Sequence, residues 1–181
     1  MTNSRELDDG TAPVGKTGES FDDESGDGES GDGAATGTTT TATTGIIENE
    51  TGAQRLLGYT LDIGRGDGRA RCTLVVDETH GNRHGRLHGG LAVALLDNAM
   101  GATASLTVDA SGRRPFMTIS MSTQFLAPGR MGTRLTATGR VTGGGRSLVF
   151  VDGELADEAG TLIATASGVF KRARTEPESP S

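Results

Sequence analysis

All three histidines of the chain, His80, His84 and His88, fall in the run HGNRHGRLHGG at a spacing of four. On a helix, imidazoles at i and i+4 share a face and can hold a zinc ion. Gly81, Gly85, Gly89 and Gly90 interrupt the run, and each weakens a helix by about 1 kcal/mol relative to alanine. Without a helix the spacing has no common face, so no metal site is expected. The run continues into LHGGLAVALLDNAMGATASL (87–106), apolar on every side but for Asp97 and Asn98. A helix apolar all round is a buried one, and a carboxylate in it is costly unless paired or used. Asp97 therefore lies at a gap or bonded to the loop ahead of the helix, or else it does chemistry. Gly89 and Gly90 would leave bare N–H groups at the positive end of that helix, a place that suits an oxyanion. With Asn82 in the preceding loop, the set reads as an acyl-transfer site.

The elements that must hold this set follow from periodicity. The stretch 46–58 reads as one broken helix. GYTLDI (58–63) and ARCTLVVD (70–77) read as strands joined by the hairpin turn GRGDG. The tripeptide Arg65-Gly66-Asp67 within it is read as turn sequence, not as an adhesion motif. From Pro115 onward the period is two, giving four strands in a meander, with Gly143–Gly145 and residues 157–160 as turns. The fold class expected is α+β, with an antiparallel sheet and one buried helix.

Charge divides the chain. Residues 1–45 carry ten acidic and two basic side chains, and residues 46–181 carry 14 and 15. The first segment is rich in Gly, Ser, Thr, Asp and Glu, a composition that cannot offset its ordering entropy, so it is expected to be disordered. The folded domain is expected over 46–172, with a polar tail at 173–181. A near-neutral domain without a basic stripe or interleaved aromatics argues against a nucleic-acid partner. The acidic start without an apolar core is unlike a signal peptide, and no apolar run is long enough to span a membrane. The lone Cys72 excludes an internal disulfide and suits a reducing cytoplasm.

The run NRHGRLHGGLAVALLDNAMG (82–101) resembles the motif of hotdog-fold acyl-CoA thioesterases of the phenylacetate-pathway, PaaI-like, type. The six motif positions are Asn82, Gly85, His88, Gly89, Gly90 and Asp97. The resemblance covers roughly residues 46–171 and implies a curled antiparallel sheet wrapped around one central helix. It also implies hydrolysis of an acyl-CoA, aryl or medium-chain, without a cofactor. By the same resemblance Asp97 is the base or nucleophile, and the Gly89 N–H polarises the thioester carbonyl, with Gly90 beside it. Asn82 orients water or substrate, His88 holds loop and helix geometry, and Thr118 positions the attacking water. Read from its neighbours alone, Thr118 falls with Ser120, Ser122 and Gln124 on a polar strand face. Arg146 matches a basic position near bound nucleotide; Arg83, Arg86 and Arg172 are further candidates. Met100, Leu106, Met117 and Phe125 are candidates for the acyl pocket. Relatives pair through the strand expected at 116–126, so a homodimer or homotetramer is implied, with Asp97 of one copy facing Asn82 and Gly89 of the next.

Two other readings compete. A hotdog dehydratase or hydratase would move a proton at the α or β carbon, but the prolines that follow the acid in those enzymes are missing here. A non-catalytic acyl-CoA-binding module would have no use for a buried carboxylate. A serine α/β-hydrolase is excluded by the absence of G-x-S-x-G.

Overall fold

The computed structural model describes residues 45–174. The disordered tails expected at 1–45 and 173–181 lie outside the described residues, apart from Gly45, Ala173 and Arg174. The element order is β1 (Ile46–Ile47), α1 (Gly52–Leu57), β2 (Thr60–Asp62), β3 (Arg71–Val75), α2 (Gly89–Leu106), β4 (Phe116–Phe125), β5 (Arg134–Gly144), β6 (Leu148–Asp157) and β7 (Leu162–Arg172). All seven strands form one antiparallel sheet in the order β1-β2-β3-β5-β6-β7-β4. The long helix α2 packs across β3, β5, β6, β7 and β4, which makes a curled sheet around one central helix.

Two expectations change. The segment 46–58 is not one helix: Ile46 and Ile47 pair with Asp62 and Leu61, and the helix begins only where the Thr51 hydroxyl can accept the Gln54 N–H. The last four strands are not a simple meander either. β5, β6 and β7 follow one another, but β4 lies at the far edge against β7. Helix α2 crosses the sheet before β4 begins, so it delivers β4 to the opposite side from β3. The chain then returns through residues 126–133 to start β5 beside β3. That return segment braces the loop before α2, since Gly129 C=O accepts the Leu87 N–H at 2.9 Å.

The sheet's inner face is smooth where the helix presses on it. A Cβ on Gly139 would collide with Thr103, and one on Gly153 would lie 2.6 Å from the Met100 sulfur. Glycines inside strands often mark such close approaches. Leu95, Leu96, Ala99 and Met100 thus bury against Leu135, Ala137, Val151, Leu155 and Phe170. Each fully buried Leu or Phe contributes about 1.5–3 kcal/mol. β4 differs from its neighbours, because none of its residues is buried and Met117, Ile119 and Phe125 are exposed. The longest helix is α2, and no helix among the described residues is long and apolar enough to cross a membrane.

Candidate active site

Asp97 lies two turns into α2 and is half-buried. Its Oδ1 accepts the Thr118 hydroxyl at 2.6 Å. This contact depends on a β-bulge. The register of β4 against β7 shifts between Thr118, opposite Phe170, and Ser120, opposite Val169, so Ile119 has no partner. Directly opposed residues of an antiparallel pair share a face, and Phe170 is buried against the helix. The bulge therefore turns Thr118 inward, while Ser120, Ser122 and Gln124 stay on the other face.

Next to Asp97, Asn98 is held from both ends of its amide. The Tyr59 hydroxyl donates to Asn98 Oδ1 at 3.0 Å, and Asn98 Nδ2 donates to the Ala94 carbonyl at 2.8 Å. Burial pushes the Tyr59 phenol above its ordinary value, which keeps it a neutral donor. Asp97, Asn98 and Thr118 line a cavity of about 410 Å³ together with Ser105, Arg114 and Phe116.

The start of α2 makes a second concavity. His88 is the N-cap, and its Nδ1 accepts the Gly90 N–H at 3.0 Å. The His88 carbonyl accepts the Leu91 and Ala92 N–H groups at 3.0 and 3.3 Å. Among the described residues the Gly89 N–H meets no acceptor. Only one of the two expected donors is therefore bare, because the N-cap imidazole satisfies Gly90. Asn82 Oδ1 accepts the His84 and Arg86 N–H groups at 2.9 and 3.3 Å, tying the loop together. Gly85 takes φ +64° to close that turn, a conformation glycine adopts without strain. Asn82, Gly89, His84, Arg86 and Phe125 line this second cavity, of about 440 Å³.

The six motif residues and Thr118 are thus divided within one chain. Asp97 and Thr118 face one cavity, and Asn82 and Gly89 face another. Arg146 belongs to neither. It sits at the β5–β6 turn over a third hollow, with Val108 beyond the C-terminal end of α2. Arg86 lines the Asn82 cavity, whereas Arg83 and Arg172 line none of these hollows. The expected acyl-pocket residues also separate. Met100 is fully buried against the sheet, Leu106 is half-buried, Met117 is exposed, and Phe125 flanks Gly89. The Asp97 cavity takes its apolar wall from Ile47, Leu61 and Phe116 instead. Sequence reasoning passed over Arg113, Arg114, Ser105 and Tyr59, because nothing in their spacing ties them to Asp97.

The histidines have three different settings. His80 is buried, its Nδ1 accepting the Asp77 N–H at 3.0 Å and its Nε2 donating to the Leu57 carbonyl at 2.9 Å. His84 is exposed, and His88 caps α2. Among the described residues no group of three His, Cys, Asp or Glu is placed to share a metal ion.

Residues 84–164 match the family described as the thioesterase superfamily. Human acyl-coenzyme A thioesterase 13 is 32% identical over 112 residues, covering 61% of this chain and 78% of the relative. The PaaI protein of the E. coli phenylacetic acid degradation operon superposes with a TM-score of 0.60 at 25% identity, covering 69% of this chain and 86% of that one. A Streptococcus mutans protein solved with acetyl CoA bound gives a TM-score of 0.51 at 25% identity, over 59% of this chain and 82% of the other. With the curled sheet, the central helix and the glycine-led helix start already in place, this chain belongs to the thioesterase superfamily, as a hotdog-fold, PaaI-like thioester hydrolase.

Proposed function

We propose that this protein hydrolyses acyl-CoA thioesters at sites completed by two copies of the chain. The observation that carries this reading is the division of the motif. A carboxylate with a hydroxyl on it faces one cavity, and a bare helix-terminal N–H faces another. Thioester hydrolysis needs an oxygen nucleophile on one side of the carbonyl and an oxyanion donor on the other. A second copy can bring the Gly89 end of its helix to the Asp97 cavity of the first. The edge strand β4 carries Thr118 and exposes Met117, Ile119 and Phe125. An exposed edge of this kind is normally covered by pairing, which supports a homodimer formed there and leaves a dimer of dimers open to it.

In this mechanism the thioester carbonyl oxygen accepts the Gly89 N–H, where the helix dipole adds to the polarisation. Asp97 either takes a proton from the water whose oxygen attacks the carbonyl, and returns it to the leaving sulfur, or attacks directly to form a mixed anhydride that water then hydrolyses to the free acid. The carbonyl–sulfur bond breaks, and CoA leaves as the thiol. Thr118 fixes the carboxylate by donating its hydroxyl, and its oxygen lone pairs remain available to accept from water. His88 keeps the Gly90 N–H occupied, so the Gly89 N–H is the one left for substrate. Asn82 shapes the loop, its amide nitrogen donating to the Leu87 carbonyl at 3.5 Å, and lines the same cavity as Gly89. Arg146 would meet a CoA phosphate through its forked donors. The setting proposed is the reducing cytoplasm, which the single buried Cys72 suits.

The test is hydrolysis of an acyl-CoA panel by the purified chain, with release of free thiol as the readout. Turnover that survives chelator and falls by about 10²–10⁴ in Asp97→Asn is expected for loss of an acid–base or nucleophilic group. Full activity in Asp97→Asn would remove this carboxylate from the mechanism.

A further inference from the structure

The cavity beside Asp97 is more polar than an alkyl or plain aryl group requires. Two carboxylates, Glu50 and Asp97, and two guanidiniums, Arg113 and Arg114, line it. Glu50 Oε1 holds Arg113 Nε at 3.3 Å, and Asp97 accepts the Thr118 hydroxyl. Arg114 is half-buried, and among the described residues no carboxylate lies within ion-pair distance of its side chain. Ser105 lines the same cavity eight residues beyond Asp97. It is 2% exposed, and among the described residues its hydroxyl has no hydrogen-bond partner. A buried orphan hydroxyl is unusual in a folded protein, and the Arg114 guanidinium at the same cavity keeps its donors free for an anion. One group answers both: an oxygen anion inside the cavity, which Arg114 can clamp with two parallel N–H donors.

We infer that the acyl group this enzyme hydrolyses carries a carboxylate at its end distal to the thioester, held by Arg114 with Ser105 beside it. The inference rests on the thioesterase reading above and narrows its substrate class. Eight residues along α2 span about 12 Å, which accommodates a medium-length chain with contacts at both ends. Ile47, Leu61 and Phe116 in the same wall suit a hydrocarbon spacer better than a nucleotide. A CoA phosphate offers Arg114 the same chemistry, so the experiment must separate the two anions.

The experiment compares kcat/KM of the full chain on adipyl-CoA and hexanoyl-CoA, which share chain length and differ in a terminal carboxylate or methyl. A wild-type preference for adipyl-CoA of roughly tenfold or more is expected from one charge-assisted clamp. Arg114→Gln should abolish the preference by lowering adipyl-CoA turnover alone, and Arg114→Lys should keep part of it. Ser105→Ala should reduce the preference without lowering the melting temperature, because it removes an orphan hydroxyl. Equal or better wild-type turnover of hexanoyl-CoA overturns the inference and leaves the thioesterase reading standing. Equal losses on both substrates in Arg114→Gln would assign Arg114 to a CoA phosphate and also overturn it. Failure to hydrolyse any acyl-CoA would sink the thioesterase reading itself.

Discussion

The Thr118 hydroxyl meets the Asp97 carboxylate at 2.6 Å, although the two residues come from different elements 21 positions apart. A hydrogen bond to a charged group contributes about 1.5–3 kcal/mol. If Thr118 fixes this carboxylate for attack, removing the hydroxyl should slow turnover by roughly 10- to 100-fold by the same arithmetic. Thr118→Val keeps the shape and deletes the donor, and Thr118→Ser keeps the donor. We expect kcat to fall in the first and to remain close to wild type in the second. Unchanged kcat in Thr118→Val would reduce the contact to a structural one.

That contact also marks where sequence reasoning runs out. The helix start at Gly89 and Gly90 and the loop at Asn82 were legible because their requirements are local; that His88 caps the helix and occupies the Gly90 N–H was not, because capping by an imidazole depends on its orientation. The buried helix was legible from its all-round apolar character. The inward turn of Thr118 was not, because alternation through Ser120, Ser122 and Gln124 assigns it to the opposite face. A single unpaired residue, Ile119, reverses that assignment, and a bulge leaves no signature in residue type. The place of β4 at the sheet edge was hidden for a similar reason, since strand neighbours depend on where α2 delivers the chain. Arg113 and Arg114 join Asp97 only through that topology.

The three histidines should separate cleanly under mutation. His80→Ala removes a buried ring and leaves the part-buried Asp77 N–H and Leu57 carbonyl without their partner. A loss of about 2–4 kcal/mol of stability is expected from unpaired groups plus the space left behind. His84→Ala, at an exposed turn, should fall within about 0.5 kcal/mol of wild type. Denaturant melts of both variants check this, and activity that disappears with chelator and returns with zinc would restore the shared-metal reading.

Cys72 should be silent in any thiol assay of the native protein. It is fully buried on β3, and burial alone pushes its thiol up to about 12. Reaction with a disulfide reagent at pH 8 should therefore require unfolding, after which one equivalent is released. The folded value lies above the ordinary 9.0, so the folded state holds the proton more tightly. The associated stability is complete below pH 9 and declines as pH rises toward 12. Rapid labelling of the native chain would contradict this environment.

Deletion of residues 1–45 should leave folding and turnover of the remainder nearly unchanged, because their composition cannot sustain a core. The comparison must be made in matched salt, since the segment carries ten acidic side chains against two basic ones. A melting temperature that drops with the deletion would show that the acidic segment packs on the domain.

The shared site can be tested by splitting its two halves between subunits. Gly89 is the first residue of α2, after an N-cap at φ −66° and ψ 131°. Proline is tolerated at that helix position, and the extended N-cap suits a following proline. Gly89→Pro therefore deletes the bare N–H with little disturbance to the helix, and its Cβ would stand 3.4 Å from the Phe125 ring. Loss of one oxyanion donor typically costs about 10²–10³ in kcat. Asp97→Asn disables the other half. A mixed dimer of the two variants holds one site in which both halves are damaged and one in which both are intact. Unfolding and refolding an equimolar mixture should then restore about a quarter of wild-type activity, because half of the dimers are mixed and each has one of two sites. If activity stays at the level of the separate variants while tagged subunits demonstrably exchange, Asp97 and Gly89 do not meet across the interface. Recovery that grows with the fraction of mixed dimers would place the thioester between Asp97 of one copy and Gly89 of the other.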